Sequence, residues 1–158
     1  MGQPLSSSPR TTEAPDESRD RIASVLDPFQ PHVLSAFRVV VGLLFACHGA
    51  ATLFDVLGGP ASGQGPAVAE WPGWWAAAIQ LGGGILVLAG VFTRPAALLC
   101  SGSMAYAYFV EHQSEGLFPI ENGGNLSALY CWAFFLIAVF GPGRWTVTSV
   151  LQRARSAR

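Results

Sequence analysis

The stretch VVVGLLFACHGAATLF, residues 39–54, decides the fold. It holds no charged side chain, and its one titratable ring is His48. Apolar residues cover every side of a helix drawn through it. That pattern suits lipid or a protein interior and not a half-wet soluble helix. Its neighbours extend the apolar segment to about 33–57, with Arg38 and Asp55 near the two ends. Crossing the hydrocarbon takes about 20 residues at 1.5 Å rise each, so this segment is long enough.

Three further apolar segments follow, at about 72–92, 95–112 and 125–141. The Gly/Pro/Ser-rich loop 58–70 separates the first two, and Thr93-Arg94-Pro95 turns tightly into the third. Trp71, Trp74 and Trp75 suit an aromatic belt at a membrane boundary. The string EHQSEGLFPIENGG, residues 111–124, precedes the fourth segment, which ends at Gly141-Pro142-Gly143. The expected fold is all-α, a transmembrane four-helix bundle over residues 32–147. A disordered cytoplasmic tail (1–31) precedes it and a basic cytoplasmic tail (148–158) follows it. The first tail is polar and rich in Ser, Pro and mixed charge. Ile22, Val25, Leu26 and Phe29 within it offer the alternative of a short amphipathic turn on the membrane surface.

Charged residues make up 12% of the 158-residue chain, about half the usual ~25%. With a formal net charge of −1, nothing suggests nucleic acid as a partner. The chain has no lysine, and the placement of its nine arginines sets the orientation. Arg10, Arg19, Arg21, Arg38, Arg94, Arg144, Arg153, Arg155 and Arg158 all fall on or near one side of a four-span topology. Glu70, Glu111, Glu115 and Glu121 occupy the other two loops. Cytoplasmic loops carry the basic excess, so both termini are expected inside a bacterial cytoplasmic membrane.

Ionisable or amide groups inside spans are functional candidates by default. By helical rise, His48 lies roughly 22 Å from the inner boundary. The topology gathers His48, Gln80, Glu111, His112, Glu121, Asn122 and Asn125 toward the outer mouth. One reading is an outward-facing polar pocket for a small molecule or a quinone head group. The other is a hydrogen-bond network that pins the helices in register. His48 and His112 raise the question of axial haem ligation, but His112 sits at the wet boundary, which counts against it. A metal set of His48, Glu111 and His112 has suitable donors and no spacing fingerprint, so no metal is assigned. Cys47, Cys100 and Cys131 form no CxxC pair and read as packing residues.

Other residues read as structural. Arg38 is placed to snorkel to cytoplasmic head groups, or else to find a partner inside the bundle. Arg94 and Trp145 anchor the inner boundary. Gly42, Ala46 and Ala50 form a small-residue stripe, as do Ala76, Gln80 and Gly84 on the second span, and such stripes bring backbones close. Gly83 and Gly84 serve the same packing, with a local helix distortion as the alternative.

Several motifs, taken in order, resemble the DoxX family of bacterial membrane proteins over residues 35–147. They are Arg38 through Gly42 and Phe45 to His48-Gly49; QLGGGILVLAGVFTR from Gln80 to Arg94; NGGNLSALY from Asn122; and GPGRW from Gly141. The resemblance implies a multi-pass inner-membrane protein, some relatives of which belong to thiosulfate–quinone oxidoreductase or oxidative-stress complexes. Relatives usually carry glutamate where Gln80 and Asn125 stand, and aspartate after the final tryptophan. An amide hydrogen-bonds but does not exchange a proton as a carboxyl does. The amides favour a non-catalytic subunit or a module binding a small molecule or partner. The alternative is a membrane subunit of a quinone-linked oxidoreductase. A partner membrane or redox protein and a homo-oligomer are both compatible with the sequence.

Overall fold

A computed structural model describes residues 17–60 and 63–149. Among the described residues the chain is all-helical, with no strand. Five α-helices follow in order: α1 (Glu17–Leu26), α2 (Gln30–Phe54), α3 (Gly73–Ala89), α4 (Thr93–Ala107) and α5 (Asn125–Phe140). A 3-10 turn, Asp27–Phe29, precedes α2. A π-helical turn, Tyr108–His112, continues α4 and leads into a 3-10 turn, Gln113–Glu115.

The described residues before Pro31, Glu17–Gln30, fall in a unit of their own. The expectation of disorder fails for Glu17–Leu26, which is helical; residues 1–16 lie outside the described residues. Ile22, Val25, Leu26 and Phe29 recur at helical spacing with no proline or glycine between Glu17 and Leu26, and all four are exposed. The second unit begins at Pro31. Its core draws Val41 and Phe45 from α2, Val87 from α3, Ala96, Ala97, Cys100 and Met104 from α4, and Phe134 and Ile137 from α5. Phe45 meets Phe134 edge-on at 4.5 Å between ring centroids.

The helical stretch Ile22–Phe54 is long and apolar enough to cross a membrane, whereas α3 and α5 are shorter apolar helices. Many large apolar side chains lie on the outer surface. Leu129, Trp132 and Phe140 on α5 are 68%, 70% and 67% exposed. Leu43 and Leu44 on α2, Ile85 on α3 and Leu98 and Leu99 on α4 are exposed as well. Contiguous apolar surface on this scale is foreign to a water-facing monomer.

Close approach of α2 and α3 rests on small residues. A Cβ on Gly42 would stand 2.7 Å from the Leu88 backbone nitrogen, and one on Gly84 would stand 2.7 Å from that of Ala46. A Cβ on Gly49 would meet the Ala77 carbonyl oxygen at 2.6 Å. The contact face therefore runs Gly42, Ala46, Gly49 and not through Ala50. At 3.6 residues per turn, a straight helix keeps one face at steps of four and then three. On α3 the matching positions are Ala77, Leu81, Gly84 and Leu88, so Ala76 and Gln80 lie off the seam. Gly83 lies against the Cys100 sulfur. The α3 helix is unbroken from Gly73 to Ala89, so Gly83 and Gly84 serve packing and not a local unwinding, whereas a Cβ on Gly82 would meet nothing within 4 Å.

Arg38 does not snorkel. Its side chain is 1% exposed, and among the described residues its guanidinium donates only to backbone carbonyls. Nε bonds the Pro142 oxygen at 2.9 Å, Nη1 bonds the oxygens of Val87 and Leu88, and Nη2 bonds that of Trp145. Val87 and Leu88 are in the last turn of α3, where a cation is favoured; the Val87 oxygen accepts the Gly90 N–H as well, at 3.1 Å. Gly90 then ends the helix in the left-handed conformation at φ 73°. One turn before Arg38, the Ser35 hydroxyl donates to Pro31 and accepts from the N–H groups of Arg144 and Trp145. Gly143 passes directly over Ser35 at φ 69°, a place that admits no side chain.

A lysine keeps the charge of Arg38 but not its planar fork of donors. Both Arg38→Met and Arg38→Lys are expected to lower the thermal midpoint in mild detergent by about 10 °C, because buried carbonyls lose their partners. A lysine variant melting with the wild type would show that the fork does not join these segments.

Candidate functional site

A groove of about 1050 Å³ lies between α3, α4 and the loop before α3. Its walls change character along their length. Pro95, Leu98 and Leu99 on α4 and Ile79 on α3 form an apolar floor. Glu70, Gln64, Thr52 and Glu111 also line the groove, as do the rings of Trp71, Trp75 and Tyr106. Trp71 and Tyr106 are in edge contact at 5.8 Å between centroids, which links the loop to α4. Glu70 Oε2 accepts the Ala67 N–H at 2.7 Å, so this carboxylate also holds its own turn. Gly102 lies on the groove wall with nothing within 4 Å of where its Cβ would be.

Of the seven residues gathered by sequence reasoning, Glu111 lines this groove and the other six do not. His112 and Asn122 instead form a knot within the loop 111–124. The Asn122 carbonyl can only accept, so the 3.1 Å contact to His112 Nδ1 places a proton on that nitrogen. The Asn122 side chain, 3% exposed, donates to the Gly116 oxygen and accepts the Gly124 N–H, each at 2.9 Å. These bonds turn the chain into α5. Asn125, at the start of α5, and Glu121 are exposed, and Gln80 is half-buried on α3. His48 is exposed, with its ring edge-on to Tyr130 at 6.0 Å. The seven share an end of the chain's topology, but helix rotation points them to different surroundings. Among the described residues no three His, Cys, Asp or Glu side chains come together as a metal set.

Sequence reasoning passed over Glu70, Ser103 and Tyr106, and it read Trp71 and Trp75 only as a boundary belt. The available signal was the run of Glu70, Trp71 and Trp75, a carboxylate beside two large rings. Its partner Tyr106 is 35 positions away and is not visible from spacing. At the opposite end Arg94 is exposed and lies against Gly141, and Arg144 is exposed one residue before Trp145. Trp145 packs edge-on to His32 at 5.9 Å.

An all-helical chain with a membrane-length apolar helix, a lipid-like exterior and a groove opening among aromatic rings defines the class: a small helical membrane protein. The chain belongs to the DoxX family, whose model matches residues 33–113. That family is membrane-associated. The chain is also 37% identical over 121 residues to an uncharacterized protein of Haemophilus influenzae, covering 75% of this chain and 90% of that relative. No solved structure matches it.

Replacing Asn122 with alanine removes both side-chain bonds of the knot. Amide hydrogen exchange across residues 111–124 is expected to speed up by an amount equivalent to about 1–2 kcal/mol. Asn125→Ala, at an exposed site, is the control. Equal exchange in the two variants would show that Asn122 does not order the loop.

Proposed function

We propose that this chain is a four-span protein of a bacterial cytoplasmic membrane, with both termini inside. In this reading the groove between α3 and α4 holds a small amphipathic molecule, and the protein acts as a non-catalytic subunit or binding module. The groove carries the functional half of the reading. One end offers carboxylate, amide and hydroxyl groups, the middle offers aromatic rings, and the other end is aliphatic. A head group with an apolar tail matches that gradient, and mostly apolar clefts with a few convergent polar groups are the usual form of small-molecule sites. A quinone is one molecule of that general shape.

The surface supports the membrane half. Exposed leucine, phenylalanine and tryptophan cover the outward sides of α2, α4 and α5. The 15 residues of α4 run directly into the five of the π-helical turn, which brings this element to bilayer length. The 17 residues of α3 and 16 of α5 are short for the hydrocarbon, and a local thinning of the bilayer accommodates such mismatch at modest cost. Arg38, Arg94 and Arg144 stand at the end where α3 turns into α4, and Glu70, Glu111, Glu115 and Glu121 stand in the loops at the other.

Energy transfer from Trp71 and Trp75 to Nile red, a neutral amphipathic dye, tests the groove in phosphatidylcholine nanodiscs. A saturable signal above empty nanodiscs is expected, and Gly102→Phe, which fills open groove space, should abolish it. Saturable transfer surviving in that variant would place the dye elsewhere and overturn the groove reading.

Orientation has its own test. Gly63→Cys should react with a membrane-impermeant maleimide added to intact cells, measured against the native cysteines of the wild type. Reaction only after lysis would reverse the topology.

A further inference from the structure

We propose that the molecule held between α3 and α4 is a hydrophobic cation: an amine or quaternary ammonium carried on an apolar chain. This rests on the groove being the binding place and adds the charge of its occupant. The lining contains two carboxylates, Glu70 and Glu111, and among its described residues no arginine, lysine or histidine. The chain has no lysine at all, and within the unit that begins at Pro31 the described arginines, Arg38, Arg94 and Arg144, stand at the opposite end. Glu111 makes no hydrogen bond or ion pair among the described residues, and Glu70 spends one oxygen on the Ala67 N–H. Both therefore retain accepting capacity toward the groove.

The rings point to the same chemistry. Trp71, Trp75 and Tyr106 line the groove between the carboxylates and the aliphatic floor. The face of an indole or phenol attracts a cation through its quadrupole, and alkylammonium groups are the usual guests of aromatic walls beside acids. Next to lipid the local dielectric falls and such attraction strengthens. An anionic head would meet two like charges with no compensating cation. A neutral head would leave both carboxylates without a counter-charge. From Glu111 down to Leu98, α4 extends about 20 Å, at 1.5 Å per residue, and its groove face becomes aliphatic over that length. An alkyl chain can lie along it.

Three probes with the same decyl tail separate charge from hydrophobicity: decyltrimethylammonium, decanol and decanoate, each below micelle-forming concentration. Each is titrated against Nile red bound to the protein in phosphatidylcholine nanodiscs, with empty nanodiscs subtracted. The ammonium should displace the dye at about tenfold lower concentration than decanol, a margin of ~1.4 kcal/mol, and decanoate should be weakest. Glu111→Gln and, separately, Tyr106→Leu should each shrink the ratio of ammonium to decanol potency severalfold. Equal potency of the three probes, or a ratio untouched by both variants, overturns the cation proposal while leaving the groove intact. Failure of Nile red itself to bind saturably overturns the groove reading and the cation proposal with it.

Discussion

A buried guanidinium must find acceptors for its N–H groups or pay a heavy desolvation cost, and among the described residues Arg38 makes four such bonds, all to backbone carbonyls. Arg38 reaches carbonyls from the end of α3 and from the loop after α5, segments about 50 and 105 residues away in sequence. Hydrogen bonds from an ionised donor are roughly twice as strong as neutral ones. Of the two carbonyls Arg38 takes at the end of α3, that of Val87 also accepts the Gly90 N–H. One side chain thus ties the end of α3 to the loop after α5. Ser35, one turn earlier, accepts from the N–H groups of the same loop, so the loop is held through both its donors and its acceptors.

This node closes one end of the molecule and leaves the other free to differ. At the Arg38 end, glycines let backbone meet backbone: Gly143 over Ser35, and Gly42 against the α3 turn that carries Val87 and Leu88. At the opposite end the connections are long. The loop before α3 and the loop 111–124 are held by local bonds, such as Glu70 to Ala67 and Asn122 to Gly116 and Gly124. Loops that satisfy themselves do not need to fill the space beside the helices. The groove lies where such a loop meets the outer faces of α3 and α4, and the loop supplies the polar end that the helices lack.

The sequence made the helical elements legible because apolar runs and breakers are local signals. The extents around Gly73–Ala89 and Asn125–Phe140 follow from where glycine, proline and charge interrupt hydrophobicity. The segregation of arginine from glutamate was legible for the same reason. Legibility failed where helix rotation mattered. Counting steps of four from Gly42 led to Ala50, while the true seam passes through Gly49, because 3.6 residues per turn shifts the face. The same rotation scatters the polar side chains near one end. His48 faces Tyr130, His112 turns to Asn122, and only Glu111 of the seven looks into the groove. A depth estimate from helical rise fixes height along the axis and says nothing about azimuth.

Composition and pattern alone determined that this chain is helical, that it is apolar enough for lipid, that the connections 58–70 and 111–124 carry carboxylates and no arginine, and that its motifs resemble one family. All of these are properties of short stretches read along the chain. Tertiary structure decided that Arg38 is an internal clasp and not a lipid-facing anchor, that Asn122 orders a loop, and that Glu70, Trp71, Trp75, Tyr106 and Glu111 share a groove. Each of these depends on which faces of separate helices come together, and that choice is made by close packing at residues far apart in sequence.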